Sequence, residues 1–167
     1  MLELYKPDMY QKDIYSIDYK KLKTCGIKCL LFDLDNTLIP IYMKKPTRKL
    51  KDFVEKLKNT GFKIIIISNS GRSRLIPFKR ILEVDCAASS KKPSKRKYQK
   101  ILLEYKYVES EIAAIGDQIV TDIYGGNRMG IYTILVDKIS NREYIWTKMN
   151  RLKENFLIHK LKRKKLF

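Results

Sequence analysis

After residue 26 the sequence alternates between short apolar runs and longer segments of helical periodicity, which predicts an α/β fold. The architecture expected is a Rossmann-like three-layer sandwich, with a mainly parallel sheet covered by helices on both faces. The apolar runs support it, because they are near-continuous, as strands buried on both faces must be. Their ends support it too. Each run stops at polar or charged residues, and open parallel sheets carry their sites at the carboxyl ends of the strands.

The first 25 residues hold several tyrosines and predict a helix over 17–24, packed on the sheet. "IKCLLFDL" reads as the first buried strand. Residues 46–59, "PTRKLKDFVEKLKN", read as a helix: Pro46 suits a first turn, and Leu50, Phe53, Val54 and Leu57 recur at helical spacing. "FKIIIIS" is the second strand. A helix is expected around 73–82, started or interrupted by Pro77. "VDCAAS" is a short strand, and "PSKRKYQKILLEYK" is a helix opened by Pro93. "IAAIG" is a strand, 119–129 a short helix ending at Gly130, and "YTILV" the last strand. From Lys138 onward ten Lys or Arg stand against two acids. Ile145, Met149, Leu152 and Phe156 form one helical stripe there, expected to pack on the sheet.

The 167 residues fit one domain over 1–167, with a core at about 26–136 and a basic helix and tail at about 138–167. Hydrophobic residues make up 44 %, enough for a packed core. No apolar run approaches the roughly 20 residues of a membrane span. "MLELYKPDMY" lacks the pattern of a signal peptide, so a cytoplasmic location is expected. Cys25, Cys29 and Cys86 are too few for a disulfide framework and lack partners for a zinc site. The only histidine is His159, in the tail, which argues against Ser–His–Asp and Cys–His catalysis. The net charge of +18 favours polyanionic partners: nucleic acid, anionic lipid or phosphorylated small molecules.

Four strand ends carry the candidate site. The first ends in Asp33 and Asp35, the second in Ser68 and Asn69. The third leads to "SSKKP", with Lys91 and Lys92, and the fourth ends in Gly116 and Asp117, with Asp122 five residues later. Carboxylates gathered in one crevice repel one another unless a cation sits among them. Oxygen donors of this kind select hard divalent ions, and Mg²⁺ is the usual one beside phosphates. A lysine and Ser68 could then hold a phosphate.

"DLDNT", "SNS", "KKP" and "GDQIVTD", in that order, resemble the four motifs of the haloacid dehalogenase superfamily of phosphatases over roughly 26–136. "DLDNTLIP" and "GDQIVTDIYGGN" resemble more closely the YqeG-like group of subfamily IIIA, related to mitochondrial phosphatidylglycerophosphate phosphatase. The resemblance implies a phosphomonoester hydrolase. It implies Asp33 as nucleophile and Asp35 as the acid that protonates the leaving oxygen and then activates water. Asp33, the Asp35 backbone carbonyl and Asp117 would bind Mg²⁺, and Asp122 would orient the lysine or a metal-bound water. Ser68 would hydrogen-bond the phosphoryl oxygens, and Lys92 would neutralise their charge, with Lys91 as its competitor. Asn36, Thr37, Asn69 and Lys91 complete the substrate-facing set.

Other readings fit less of the sequence. As a calcium loop, "DLDNT" would have Leu38 where the sixth-position glycine belongs and Lys44 where the final glutamate belongs. A receiver domain places its acidic pair and its phospho-accepting Asp on different strands. A non-catalytic module binding RNA or the ribosome has the basic clusters in its favour, but "KKPSKRKYQK" interleaves only Tyr98 for stacking. "IPIYMKK" and the segment between the second and third motifs are too short for a cap. The site should therefore be open to bulky substrates: a lipid headgroup at an anionic membrane surface, or a phosphate on a macromolecule. Nucleotides, sugar phosphates and nucleic-acid ends are the alternatives, and no residue in the sequence sets an oligomeric state.

Overall fold

The computed structural model describes residues 2–142 and 154–158. The chain runs β1 (Met9–Gln11), α1 (Tyr19–Thr24), β2 (Cys29–Phe32), α2 (Arg48–Asn59), β3 (Lys63–Ile67), α3 (Arg72–Leu82), β4 (Asp85–Ala87), α4 (Arg96–Tyr105), β5 (Ile112–Gly116), α5 (Tyr124–Asn127) and β6 (Tyr132–Val136). The strands form one sheet in the order β1-β6-β5-β2-β3-β4, and every neighbouring pair is parallel. The mainly parallel sheet expected from the sequence is wholly parallel among the described residues.

β2 lies inside the sheet, between β5 and β3. Phe32 pairs with Ile115 on one side and Ile66 on the other. All residues of β2 and β5 are buried, because helices cover both faces. Side chains alternate across a strand, so Leu30 and Phe32 point to one face and Leu31 to the other. On the first face they meet Leu50, Val54 and Leu57 of α2 and Phe78 of α3. On the second, Leu31 and Ile65 meet Tyr98 and Ile101 of α4. Thr47 caps α2 by accepting the Leu50 N–H at 3.1 Å, so the helix starts two residues after Pro46.

Three details differ from the sequence expectation. The helix expected over 17–24 forms over Tyr19–Thr24, but the N-terminal segment before it also contributes an edge strand, β1. Three residues carry no readable periodicity, and β1 exists because β6 offers it a partner. Pro77 neither starts nor breaks α3, which runs from Arg72 with Gly71 as its N-cap; Leu75, Phe78 and Leu82 bury its face on both sides of the proline. The segment expected as a helix over 119–129 opens as one π turn, Ile119–Ile123, before α5.

Of the expected C-terminal stripe, Ile145, Met149 and Leu152 lie outside the described residues. Phe156 is exposed, and Ile158 packs instead on the cluster of Ile119, Ile123 and Leu135. Among the described residues no helix is long and apolar enough to cross a membrane.

β1 is fastened by Asp8. Its carboxylate accepts the Thr133 N–H at 2.7 Å and the Thr133 hydroxyl at 3.0 Å. Asp8→Ala removes the acceptor of a buried N–H and should cost about 1–3 kcal/mol. Urea denaturation reads this as a lower midpoint. An unchanged midpoint would show that the Asp8 contact adds nothing to stability.

Candidate active site

The carboxyl end of β2 is continued by Asp33, whose N–H donates to the Ile115 carbonyl of β5 at 2.9 Å. This keeps Asp33 in the sheet and buries its side chain. Lys92, from the loop after β4, meets it there. The Lys92 ammonium donates to Asp33 Oδ1 at 2.7 Å, Asp122 Oδ1 at 2.6 Å and the Ile67 carbonyl at 2.9 Å. All three donors of the ammonium are thereby used, as a buried charge requires.

Asp122 reaches this contact because the chain after β5 turns tightly. Gln118 accepts backbone hydrogen bonds from both Asp122 and Ile123, the widened spacing of a π turn. Asp122 Oδ2 also accepts the Gln118 N–H at 3.1 Å. Gly116 makes room: a Cβ added there would lie 2.3 Å from Asp122 Cγ. Asp117 joins from the other side and accepts the Thr37 hydroxyl at 3.2 Å.

Oxygens of Asp33, Asp117 and Asp122 all lie within 4.8 Å of one another, and all three residues are buried. With all three carboxyls ionised, the cluster and its one ammonium carry two negative charges among these four groups. Their charge and hard oxygen donors fit a divalent cation. Burial pushes the Asp33 carboxyl up to about 8, against the pull of Lys92 and with the help of Asp122 and Asp117. For Lys92, burial disfavours the ammonium, but Asp122 and Asp33 outweigh it and raise its pKa.

The other expected residues take other places. Ser68 is buried at the end of β3, and its Oγ accepts the Ser70 N–H at 3.1 Å. Asn69 clamps the backbone of Lys92: its Oδ1 accepts the Lys92 N–H at 2.7 Å, and its Nδ2 donates to the Lys92 carbonyl at 3.2 Å. Lys91 is exposed and left-handed at φ 54°, so of the two neighbouring lysines it is Lys92 that enters the cluster. Asn36, left-handed at φ 66°, gives its side chain to a strap formed by residues 139–142. Its Oδ1 accepts the Ser140 hydroxyl, its Nδ2 donates to the Arg142 carbonyl, and its own carbonyl accepts the Ile139 N–H. Asn36 and Asn69, expected to face substrate, thus hold loops.

The Asp35 carboxylate lies outside the three-carboxylate cluster. Arg74 of α3 grips its Oδ1 through Nε at 3.0 Å and Nη2 at 2.7 Å, and Ser70 donates to its Oδ2 at 2.6 Å. Arg74 is fixed in turn by the Met43 carbonyl and stacks on Phe78. The sequence reading missed Arg74. The available signal was charge: with one lysine committed to Asp33, Asp35 needs a cation of its own, and "SNSGRSR" supplies two.

The family model described as mitochondrial PGP phosphatase matches residues 2–140. A probable phosphatase, YqeG, of Bacillus subtilis is 32 % identical over 162 residues, covering 97 % of this chain and 94 % of that protein. A phosphatidylglycerophosphate phosphatase of Arabidopsis thaliana is 28 % identical over 146 residues; the match covers 82 % of this chain but 42 % of the plant protein. Among solved structures, a putative 3-deoxy-D-manno-octulosonate 8-phosphate phosphatase of Vibrio cholerae matches with a TM-score of 0.57 at 16 % identity, over 77 % of this chain and 78 % of that one. The cobalt-bound deoxy-D-mannose-octulosonate 8-phosphate phosphatase of Haemophilus influenzae matches with a TM-score of 0.53 at 13 % identity, over 78 % and 88 %. These two share the fold.

A carboxyl whose folded pKa is raised makes folding take up a proton. From about pH 4 to 8, Asp33 therefore makes the cation-free protein less stable as pH rises. A cation held by ionised Asp33 opposes that loss. Adding Mg²⁺ should raise Tm more at pH 8 than at pH 5, measured by thermal denaturation. An equal rise at both values would exclude binding through an ionising Asp33.

Proposed function

Because the chain belongs to the mitochondrial PGP phosphatase family, we propose that it hydrolyses phosphatidylglycerophosphate or another lipid monophosphate, with Asp33 as nucleophile and Mg²⁺ as cofactor. It is a phosphoric monoester hydrolase of the haloacid dehalogenase type. The observation that carries the proposal is the buried contact of Lys92 with Asp33 and Asp122, beside Asp117, at the strand ends. The chain acts as one unit over 1–167, without a cap, and works at the inner face of an anionic membrane.

In the first step a carboxylate oxygen of Asp33 attacks phosphorus and the ester P–O bond breaks, leaving an aspartyl-phosphate. Lys92 holds Oδ1, so the other oxygen is the attacking one. Ser68 hydrogen-bonds the phosphoryl oxygens, and Lys92, whose three donors are taken, offsets their charge from behind Asp33. Asp35 gives a proton to the departing alkoxide. In the second step Asp35 takes a proton from water, which attacks phosphorus and frees Asp33 as phosphate leaves. Asp33, Asp117 and the Asp35 carbonyl would hold Mg²⁺, with Asp122 behind them; the ion supplies positive charge against the phosphoryl oxygens. Arg74 is a positioning residue. It keeps Asp35 Oδ1 fixed, while the Ser70 bond to Oδ2 can be exchanged for the leaving oxygen.

Phosphate release from aryl phosphate and from phosphatidylglycerophosphate tests the assignment. Activity should require Mg²⁺ and fall by several orders of magnitude in Asp33→Asn. Activity that survives both EDTA and this substitution would remove the nucleophile from Asp33. Turnover of nucleotides, sugar phosphates or nucleic-acid ends, with none of the lipid, would move the substrate to the soluble class.

Arg74→Ala should lower kcat on a poor leaving group about 10²-fold, within the range of acid–base catalysis, and much less on an activated aryl phosphate. KM should hardly change, and added guanidinium should restore part of the loss. Equal losses on both leaving groups without rescue would make Arg74 merely structural.

A further inference from the structure

β4 is the outermost strand of the sheet, and α3 and α4 straddle it from opposite faces. Between them runs a groove of about 480 Å³. Its floor is aliphatic: Ile76 is 45 % exposed, and Cys86, Ala87 and Ala88 are only partly covered. Its walls are cationic, with Arg72 and Lys79 on α3 and Lys97 and Lys100 on α4. Two acids line it. Asp85 is held by Lys63 at 2.6 Å, and Glu104 is the other. Among the described residues, none of the four wall cations has an ion-pair partner. An exposed aliphatic continues past the rim: Leu103, 81 % exposed, on α4 beside Lys100.

Single surface lysines are ordinary solvated charges. Here cations face one another across a gap whose floor is apolar, and the phosphatase reading uses none of this. We propose that the groove and its rim are the surface on which the protein docks to an anionic phospholipid bilayer. Charge complementarity selects an anionic partner, and exposed aliphatics among Lys and Arg are the composition of a membrane-interfacial face. Nucleic acid is less well served. Single strands are gripped by stacking on aromatic rings, and the one ring in the groove, Tyr105, lies under the Lys63 ammonium at 4.8 Å. A strand-forming acidic peptide would find only the three residues of β4 to pair with. Arg72 and Lys97 lie in the first turns of their helices, at the sheet end where Ser70 and Arg74 hold Asp35. Docking would bring the active-site entrance to the headgroups. The consequence for catalysis rests on the lipid-monophosphate reading; the binding itself does not.

The test is co-sedimentation of the full chain with phosphatidylcholine vesicles, with and without phosphatidylglycerol. Each basic residue at an anionic surface contributes about fivefold to partitioning. Lys79→Glu/Lys97→Glu/Lys100→Glu should therefore lose about a hundredfold or more on phosphatidylglycerol vesicles. Lys12→Glu/Lys20→Glu/Lys56→Glu removes the same charge from other exposed sites and should lose less than tenfold. Both variants should keep wild-type hydrolysis of aryl phosphate. If the groove triple variant does not, the three single reversals are read instead, each expected to lose about fivefold. Ile76→Ser/Leu103→Ser should reduce the binding that survives high salt. Equal losses in the two triple variants, or a wild-type chain that ignores the anionic vesicles or binds RNA in preference to them, would overturn the docking surface. Vesicle binding without any phosphatase activity would overturn the proposed function and leave the surface standing.

Discussion

Lys92 Nζ sits between Asp33 and Asp122 with almost no water around it, and four strand ends are arranged about that contact. An ammonium in this position is stable only while its partners stay charged and in place. Removing one partner of such a buried pair costs roughly 3–5 kcal/mol. Asp33 is buried, crowded by two further carboxylates and steadied by one cation, which is a strained place for negative charge. A second, divalent cation would relieve that strain, so the cluster's fitness for a metal and its tolerance of buried charge have one origin.

Much of the surrounding structure exists to hold this contact. Asn69 fastens the backbone of Lys92 on both sides, so the lysine enters the cluster from a fixed point. The π turn aims Asp122 inward, and Gly116 leaves the space it fills. Thr37 ties the β2 loop to Asp117. A one-ångström shift in any of these would break hydrogen bonds in a region where water cannot replace them.

The entrance is built differently. Neither the connection from β2 to α2 nor that from β3 to β4 carries a cap. Residues 139–142 instead cross the loop after β2 and bind three polar groups of Asn36, while Arg142 stacks over Tyr42 beside them. Asp35 stands at this more open side, gripped by Arg74 and Ser70. The Asp33 and Asp35 carboxylates thus occupy unlike settings: Asp33 is sealed in the sheet, and Asp35 is oriented from a helix end. This division matches the roles proposed for them, a nucleophile that must not move and a proton carrier that must exchange with water.

The sequence by itself determined the three-layer α/β fold and the ordered groups at the strand ends. Continuous runs such as "KIIII" and the spacing of Leu50, Val54 and Leu57 are local, and they survive whatever the rest of the chain does. Motif order likewise brought Asp33, Asp117 and Asp122 to the same crevice on paper. Only the tertiary structure decided between Lys91 and Lys92, because that choice depends on the path of one loop clamped by Asn69. It alone found Arg74, whose partner Asp35 lies 39 residues away, and β1, whose anchor Asp8 meets Thr133 across 125 residues. It also showed that Asn36 and Asn69, expected at the substrate, hold loops as well. Periodicity and motif order are properties of neighbours along the chain. Hydrogen-bond partners, and the charges a buried group needs, are settled by neighbours in space.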